Sequence, residues 1–211
     1  MRKGLSYILP ALLLLAASCN NNDKLPYYGN KTAIERTVDG KTVTDSLDYT
    51  IPAFSFTDQA GNTINRAGLQ NKVLIADFFF TSCPSICPKM MQQMSRVYDQ
   101  YKDNNEVTFL SFSIDPTRDS VARLNKYAAK LGIDANHWHL LTGEKDSIYS
   151  LAESMLVSAA EDPDAPGGHV HSGTFILIDK QGHLRGYYNG VDPESIDKLM
   201  TELAVLLKEK D

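Results

Sequence analysis

The chain is short of the residues that would take it away from an ordinary α/β domain. Its 211 residues include three cysteines and one tryptophan, and 21 Lys and Arg stand against 26 Asp and Glu. Three cysteines are too few for a disulfide-built scaffold. A net charge of −5 argues against a nucleic-acid surface. No apolar run reaches the roughly 20 residues that a membrane-spanning helix needs. Internal repeats are lacking, and no proline lies between Pro166 and Pro193. What is present is 43% hydrophobic and 22% charged, sized for one domain plus appendages. A core of that size buries roughly 70% of the surface its unfolded chain exposes and needs no covalent staple.

Residues 1–18 read as a signal peptide. Arg2 and Lys3 form a basic start, Leu5 to Leu15 is apolar, and Ala16-Ala17-Ser18 are small. Their removal leaves 19 basic residues against 26 acidic, a net charge of −7. Leu15-Ala16-Ala17-Ser18-Cys19 resembles a bacterial lipoprotein box, with Ala16 where such boxes most often carry Leu. The resemblance implies that Cys19 is diacylated, and more than one acyl chain anchors stably to a membrane. Ordinary secretory cleavage leaving a free Cys19 is the alternative. Both place the chain outside the cytoplasm, where disulfides persist. With Cys19 lipidated, Cys83 and Cys87 remain as the only other cysteines. A pair four residues apart closes too small a loop to stabilise much, so its value is chemical.

Those two cysteines sit in the most informative stretch, Phe78-Phe79-Phe80-Thr81-Ser82-Cys83-Pro84-Ser85-Ile86-Cys87-Pro88. The apolar run Val73 to Phe80 predicts a buried strand. After Pro88, Met90, Met91, Met94, Val97, Tyr98 and Tyr101 recur at helical spacing, more the signature of core filling than of a methionine relay. Cys83 then falls in a strand-to-helix turn and Cys87 at the helix start, where free N–H groups and the helix dipole favour thiolates. Such a pair can form a disulfide or converge on one soft ion such as Cu(I).

The remaining pattern predicts a tether over 19–48, with a short hairpin at Asp39-Gly40, and a domain over 49–211. Ile51 to Phe56 alternates before a turn at Asp58 to Gly61. A strand over Val107 to Ile114, a helix over Ser120 to Leu131 ended by Gly132, a strand over Trp138 to Leu141 and a helix over Asp146 to Leu156 follow. Ser158 to Gly168 reads as a loop. A hairpin over Phe175 to Ile178 and Leu184 to Tyr188, then an amphipathic helix over Ser195 to Lys208, complete an α/β sandwich of thioredoxin type.

Two sulfurs leave a coordination position open. Of five histidines, His169 and His171 stand out, because they precede the strand that a thioredoxin-type sheet brings beside the cysteine turn. His137 and His139, flanking Trp138, read as structural. Thioredoxins proper carry a proline at the start of that strand; its lack here leaves space for an imidazole.

The sequence resembles the Sco/SenC family over roughly residues 50–208, on four blocks. They are Ile51-Pro52-Ala53-Phe54 to Gly61, the CPxxCP signature at Cys83 to Pro88, Ser113-Ile114-Asp115-Pro116-Thr117-Arg118-Asp119, and His171-Ser172-Gly173-Thr174-Phe175-Ile176-Leu177-Ile178-Asp179. The resemblance implies a thioredoxin-fold copper protein of the cytochrome c oxidase assembly route, with copper on Cys83, Cys87 and His171. His169 is the competitor, and Val170 replaces the Asp that usually precedes the family's histidine. Asp115 is expected either to orient the site or to cap a strand end.

The leading expectation is a membrane-anchored chaperone that delivers copper to the binuclear copper centre of a terminal oxidase. The rival is a thiol–disulfide oxidoreductase, Cys83 attacking and Cys87 resolving, that keeps a partner's copper-site cysteines reduced. A peroxiredoxin is disfavoured, because Phe80 and Pro84 stand where its threonine belongs three residues before the reactive cysteine. A structural zinc site lacks a fourth ligand.

Overall fold

The structure, a computed structural model, describes residues 24–209. The expected signal peptide and Cys19 lie outside the described residues. A hairpin opens the chain, β1 (Thr32–Val38) and β2 (Lys41–Leu47), turning at Asp39 and Gly40. Both turn residues have positive φ, 52° and 74°, as a type I′ turn requires. A second small hairpin, β3 (Ser55–Thr57) and β4 (Thr63–Asn65), turns where Asp58 accepts from the Ala60 and Asn62 amides.

The central sheet is built on β5 (Val73–Phe79), whose seven residues are all buried. Such unbroken apolar runs belong to strands covered on both faces. β6 (Val107–Ser113) and β7 (Trp138–Leu141) run parallel to it; on its other side β10 (Thr174–Ile178) runs antiparallel to β5, and β11 (Leu184–Asn189) antiparallel to β10. The spatial order is β11-β10-β5-β6-β7. α1 (Cys87–Tyr101) and α2 (Val121–Leu131) connect the parallel strands, α3 (Lys145–Ser154) follows β7, and α4 (Pro193–Leu206) ends the domain. Ser120 caps α2 by accepting from the Arg123 amide, and Gly132 ends it in the left-handed conformation. This is the expected thioredoxin-type sandwich.

Met90, Met91 and Met94 are buried in the core, as their spacing predicts. Trp138 is buried and donates to Ser111, while His139 pairs with the buried Asp58, so both are structural. Two expectations need correction. The loop over Ser158 to Gly168 and the histidines after it contain a third hairpin, β8 (Ala159–Glu161) with β9 (His169–His171), separate from the main sheet. The stretch from Lys24 to Tyr28 is no free tether. Leu25 is buried, and Tyr28 donates to the Leu184 carbonyl at the start of edge strand β11.

Candidate metal centre

Where β5 ends, Thr81 turns the chain out of the sheet. Its backbone N–H and its hydroxyl both donate to the fully buried Asp119 carboxylate, which also accepts from Ser113. Arg123 donates to the Thr81 hydroxyl at 2.6 Å. The Cys83 amide then closes on the Phe80 carbonyl, 3.2 Å away, and α1 begins at Cys87 with Pro88 in its first turn, where a missing N–H costs nothing. The start of the helix thus presents both sulfurs on one side of a fixed turn.

β9 brings the histidines to the same end of the sheet. His171 Nε2 lies 3.2 Å from Cys87 Sγ, and the ligand atoms of Cys83, Cys87 and His171 all lie within 4.8 Å of one another. Among the described residues this is the one group of three or more His, Cys, Asp or Glu side chains that can hold a metal ion. His169 points elsewhere. Its Nδ1 meets the Tyr149 hydroxyl at 3.2 Å, and its Nε2 lies 3.6 Å from the Asp115 carboxylate. Phe80 packs against both imidazoles, with ring centroids 5.2 Å from His169 and 5.9 Å from His171. Asp115 therefore serves His169 and, with Thr117 and Arg118, its own turn; none of its contacts reaches Cys83, Cys87 or His171. Arg118 also donates to the Gly167 carbonyl, which ties the β8–β9 hairpin to the turn after β6.

The two thiols differ. Burial opposes ionisation of Cys83, but hydrogen bonds from the Cys87 thiol and from the Ser85 and Cys87 amides outweigh it and hold Cys83 below an ordinary thiol. Cys87 is 1% exposed, and burial pushes its thiol well up, helped by its hydrogen bond to Cys83. The expectation of a favoured thiolate thus holds at Cys83 and fails at Cys87, where desolvation overrides the helix terminus. Burial, then the neighbouring His169, bring His171 down to about 4, so its imidazole is neutral at physiological pH. His171 Nδ1 is buried without a hydrogen-bond partner. With the proton on Nδ1, the lone pair on Nε2 faces Cys87. Two sulfurs and a neutral imidazole make a soft donor set with an open side, suited to a d¹⁰ ion.

Cys83, Cys87 and His171 were legible from spacing and resemblance. The support beneath them was not: Asp119 ends the Ser113–Asp119 motif, but only its burial beneath Thr81 reveals its role. Ser113 and Asp119 at the two ends of that motif were the available signal.

A thioredoxin-type sheet that carries a CxxxC pair at the first helix and an imidazole on the far hairpin defines a class of thiol-and-histidine metal-binding proteins. The profile of the SCO1/SenC family matches residues 43–208, and the chain belongs to that family. It is 31% identical over 166 residues to a SCO1 protein homolog of Bacillus subtilis, covering 78% of this chain and 86% of the relative. A SCO1/SenC family lipoprotein from Bacillus anthracis superposes with a TM-score of 0.70 at 28% identity, over 76% of this chain and 96% of its own. BsSco, described as a member of the Sco family of cytochrome c oxidase assembly proteins with a disulfide switch, gives 0.67 at 30%, over 78% and 96%. ScoI of Bradyrhizobium japonicum, solved with copper bound, gives 0.61 at 26%, over 73% and 99%.

Proposed function

We propose that the chain is a copper chaperone of the oxidase-assembly route that carries one copper ion on Cys83, Cys87 and His171. The carrying observation is the convergence of two sulfurs and a neutral imidazole within 4.8 Å, beside the exposed Pro84 and Ser85. The copper-bound ScoI supports the choice of metal. Partial exposure of Cys83 gives a partner's ligands a way in, so copper can pass by ligand exchange to the binuclear copper centre of a terminal oxidase or to another cuproprotein. Copper loading requires both thiols reduced, which couples it to thiol redox state. A lipid on Cys19 would hold the domain at the outer side of a bacterial membrane, in keeping with the lipoprotein relative. Residues 1–18 are then the signal peptide, and 49–211 the working domain.

The test is copper stoichiometry and affinity of the reduced protein with Cys19→Ser, with and without His171→Ala. A 1:1 complex that weakens at least about tenfold without His171 is expected. Binding indifferent to that substitution would remove His171 as a ligand.

One observation favours a second activity of the same residues: the thiols are unequal. Cys83, half-buried and held low, suits attack on a partner's disulfide, forming a mixed disulfide and releasing one partner thiol. Cys87 then attacks Cys83 Sγ, releasing the second partner thiol and leaving the Cys83–Cys87 disulfide. Each round reduces one partner disulfide at the cost of one dithiol. Loss of this exchange in Cys83→Ser, with retention in His171→Ala, separates it from copper delivery.

A further inference from the structure

Among the described residues the β1–β2 hairpin forms a two-stranded sheet of its own. Neither strand joins the central sheet, and all but one of its fourteen strand residues are exposed. Its register sorts the side chains. Thr32, Ile34, Arg36 and Val38 stand opposite Leu47, Asp45, Val43 and Lys41 on one face. Ala33, Glu35 and Thr37 stand opposite Ser46, Thr44 and Thr42 on the other. Every large apolar residue of the hairpin is therefore on one side. Three of the four are open to solvent: Leu47 is 54% exposed, Val38 42% and Val43 41%. An isolated two-stranded hairpin is marginal in water, so an apolar face of this kind wants a cover.

Its placement says what the cover is. The hairpin leaves the domain after Tyr28, which is bridged to Leu184, and returns through Thr50, bridged to His183, and Ile51, whose amide donates to the Gly182 carbonyl. Lys31 and Asp48 pair across its base at 2.9 Å. These anchor points cluster at the β10–β11 turn. That turn lies by the start of β5, because Ile178 pairs with Leu74, whereas Cys83 and Cys87 follow the end of β5. The hairpin is thus rooted at the pole opposite the metal centre. The chain outside the structure ends at the same pole. Five residue steps separate Cys19 from Lys24, a reach of at most about 18 Å. The hairpin itself, seven residues per strand, extends about 24 Å.

We propose that the apolar face of β1–β2 rests on the surface of the bilayer that holds the Cys19 lipid, turning the cysteine pole toward the aqueous side. This rests on the reading of Cys19 as lipidated. Val38, Val43, Leu47 and Ile34 would sink to the headgroup–acyl boundary; Arg36 pairs with Asp45 at 3.1 Å, which leaves Lys41 as the net positive charge of that face to meet lipid phosphates. Lipid and hairpin would make two points of attachment, which fix an orientation that one flexible tether leaves free.

Backbone hydrogen exchange decides it, on the full lipidated chain in phosphatidylethanolamine–phosphatidylglycerol vesicles against the Cys19→Ser chain free in solution. Amides of 32–47 are expected to slow by at least about fivefold on the vesicles. Leu47→Asp or Val43→Asp should abolish that slowing, whereas Thr44→Asp on the opposite face should keep it. Equal exchange in both states, with mass spectrometry showing the lipid, would overturn the hairpin contact and leave the anchor standing. A mass without lipid and no flotation with vesicles would remove both. Concentration-dependent protection of the Cys19→Ser chain in solution would overturn the proposal in favour of a second copy as the cover.

Discussion

The two ends of the central sheet treat buried polar groups differently. At the start of β11, Arg185 is almost wholly buried with its donors engaged: Nε on the Pro26 carbonyl, Nη1 on Asp179, Nη2 on the Leu25 carbonyl and on Glu209. Tyr27 covers the guanidinium at 4.2 Å. On the cysteine side Asp119 is satisfied in the same way, but other buried groups are not. Among the described residues the buried side-chain atoms without a hydrogen-bond partner are Asp77 Oδ2, Ser82 Oγ and His171 Nδ1, which belong to β5, the cysteine turn and β9. A satisfied ion cluster holds two segments of chain together. A pole with unmet polar groups stays ready for something from outside.

The contrast can be broken at either end. Arg185→Ala should cost the most, about 3–5 kcal/mol of stability by denaturant unfolding, because Asp179 and Glu209 lose their buried counter-charge. Copper affinity of the folded fraction should not change; a parallel loss would show that the two poles are coupled. Next in size is Asp77. Burial pushes its carboxyl up to about 7, opposed by the hydrogen bond from Ser111. The folded state therefore favours the protonated acid. Its contribution is full below the unfolded value of 3.8 and is lost as pH rises through about 7. Asp77→Asn should remove that loss, so that its stability relative to wild type rises by up to about 1.4 kcal/mol per pH unit between those limits. Unfolding curves at several pH values would check it, and a flat difference would sink it.

His171→Ala should weaken copper by at least tenfold, about 1.4 kcal/mol, without loss of stability, since it removes a group that has an unmet nitrogen. The smallest effect belongs to His169→Ala. Its contacts are to Tyr149 and Asp115, and copper affinity should fall by less than about threefold, roughly 0.7 kcal/mol. A larger loss, read in the same competition titration, would mean that the hairpin it braces sets the position of His171.

What sequence pattern could reveal follows the same division. β5, α1, α2 and β7 were legible because long periodic or apolar runs specify them, and Cys83 and Cys87 because their spacing puts one in the strand-to-helix turn and the other at the start of α1. The β8–β9 hairpin was hidden in a stretch rich in Asp, Pro and Gly, where three-residue strands pair only with each other and Val170 points to solvent. Cys87 misled for another reason: helix position is local and visible, whereas desolvation depends on the whole core. Arg185 gave no signal at all. A lone arginine in a short strand looks like a surface residue until Leu25 and Glu209, 184 positions apart, close around it.

That closure makes the domain nearly a ring. The Leu25 amide donates to the Glu209 carboxylate at 2.8 Å, so the first and last stretches of the described chain already touch. Rings of this kind accept new openings where the backbone is exposed and carries little. A circular permutant, spliced between Glu209 and Leu25 and cut at the exposed Asp103 after α1, should fold around the same sheet. A tether appended to the new ends of such a molecule would leave from beside α1 instead of from Leu25, which makes the direction in which the cysteine pole faces a separable, designable property.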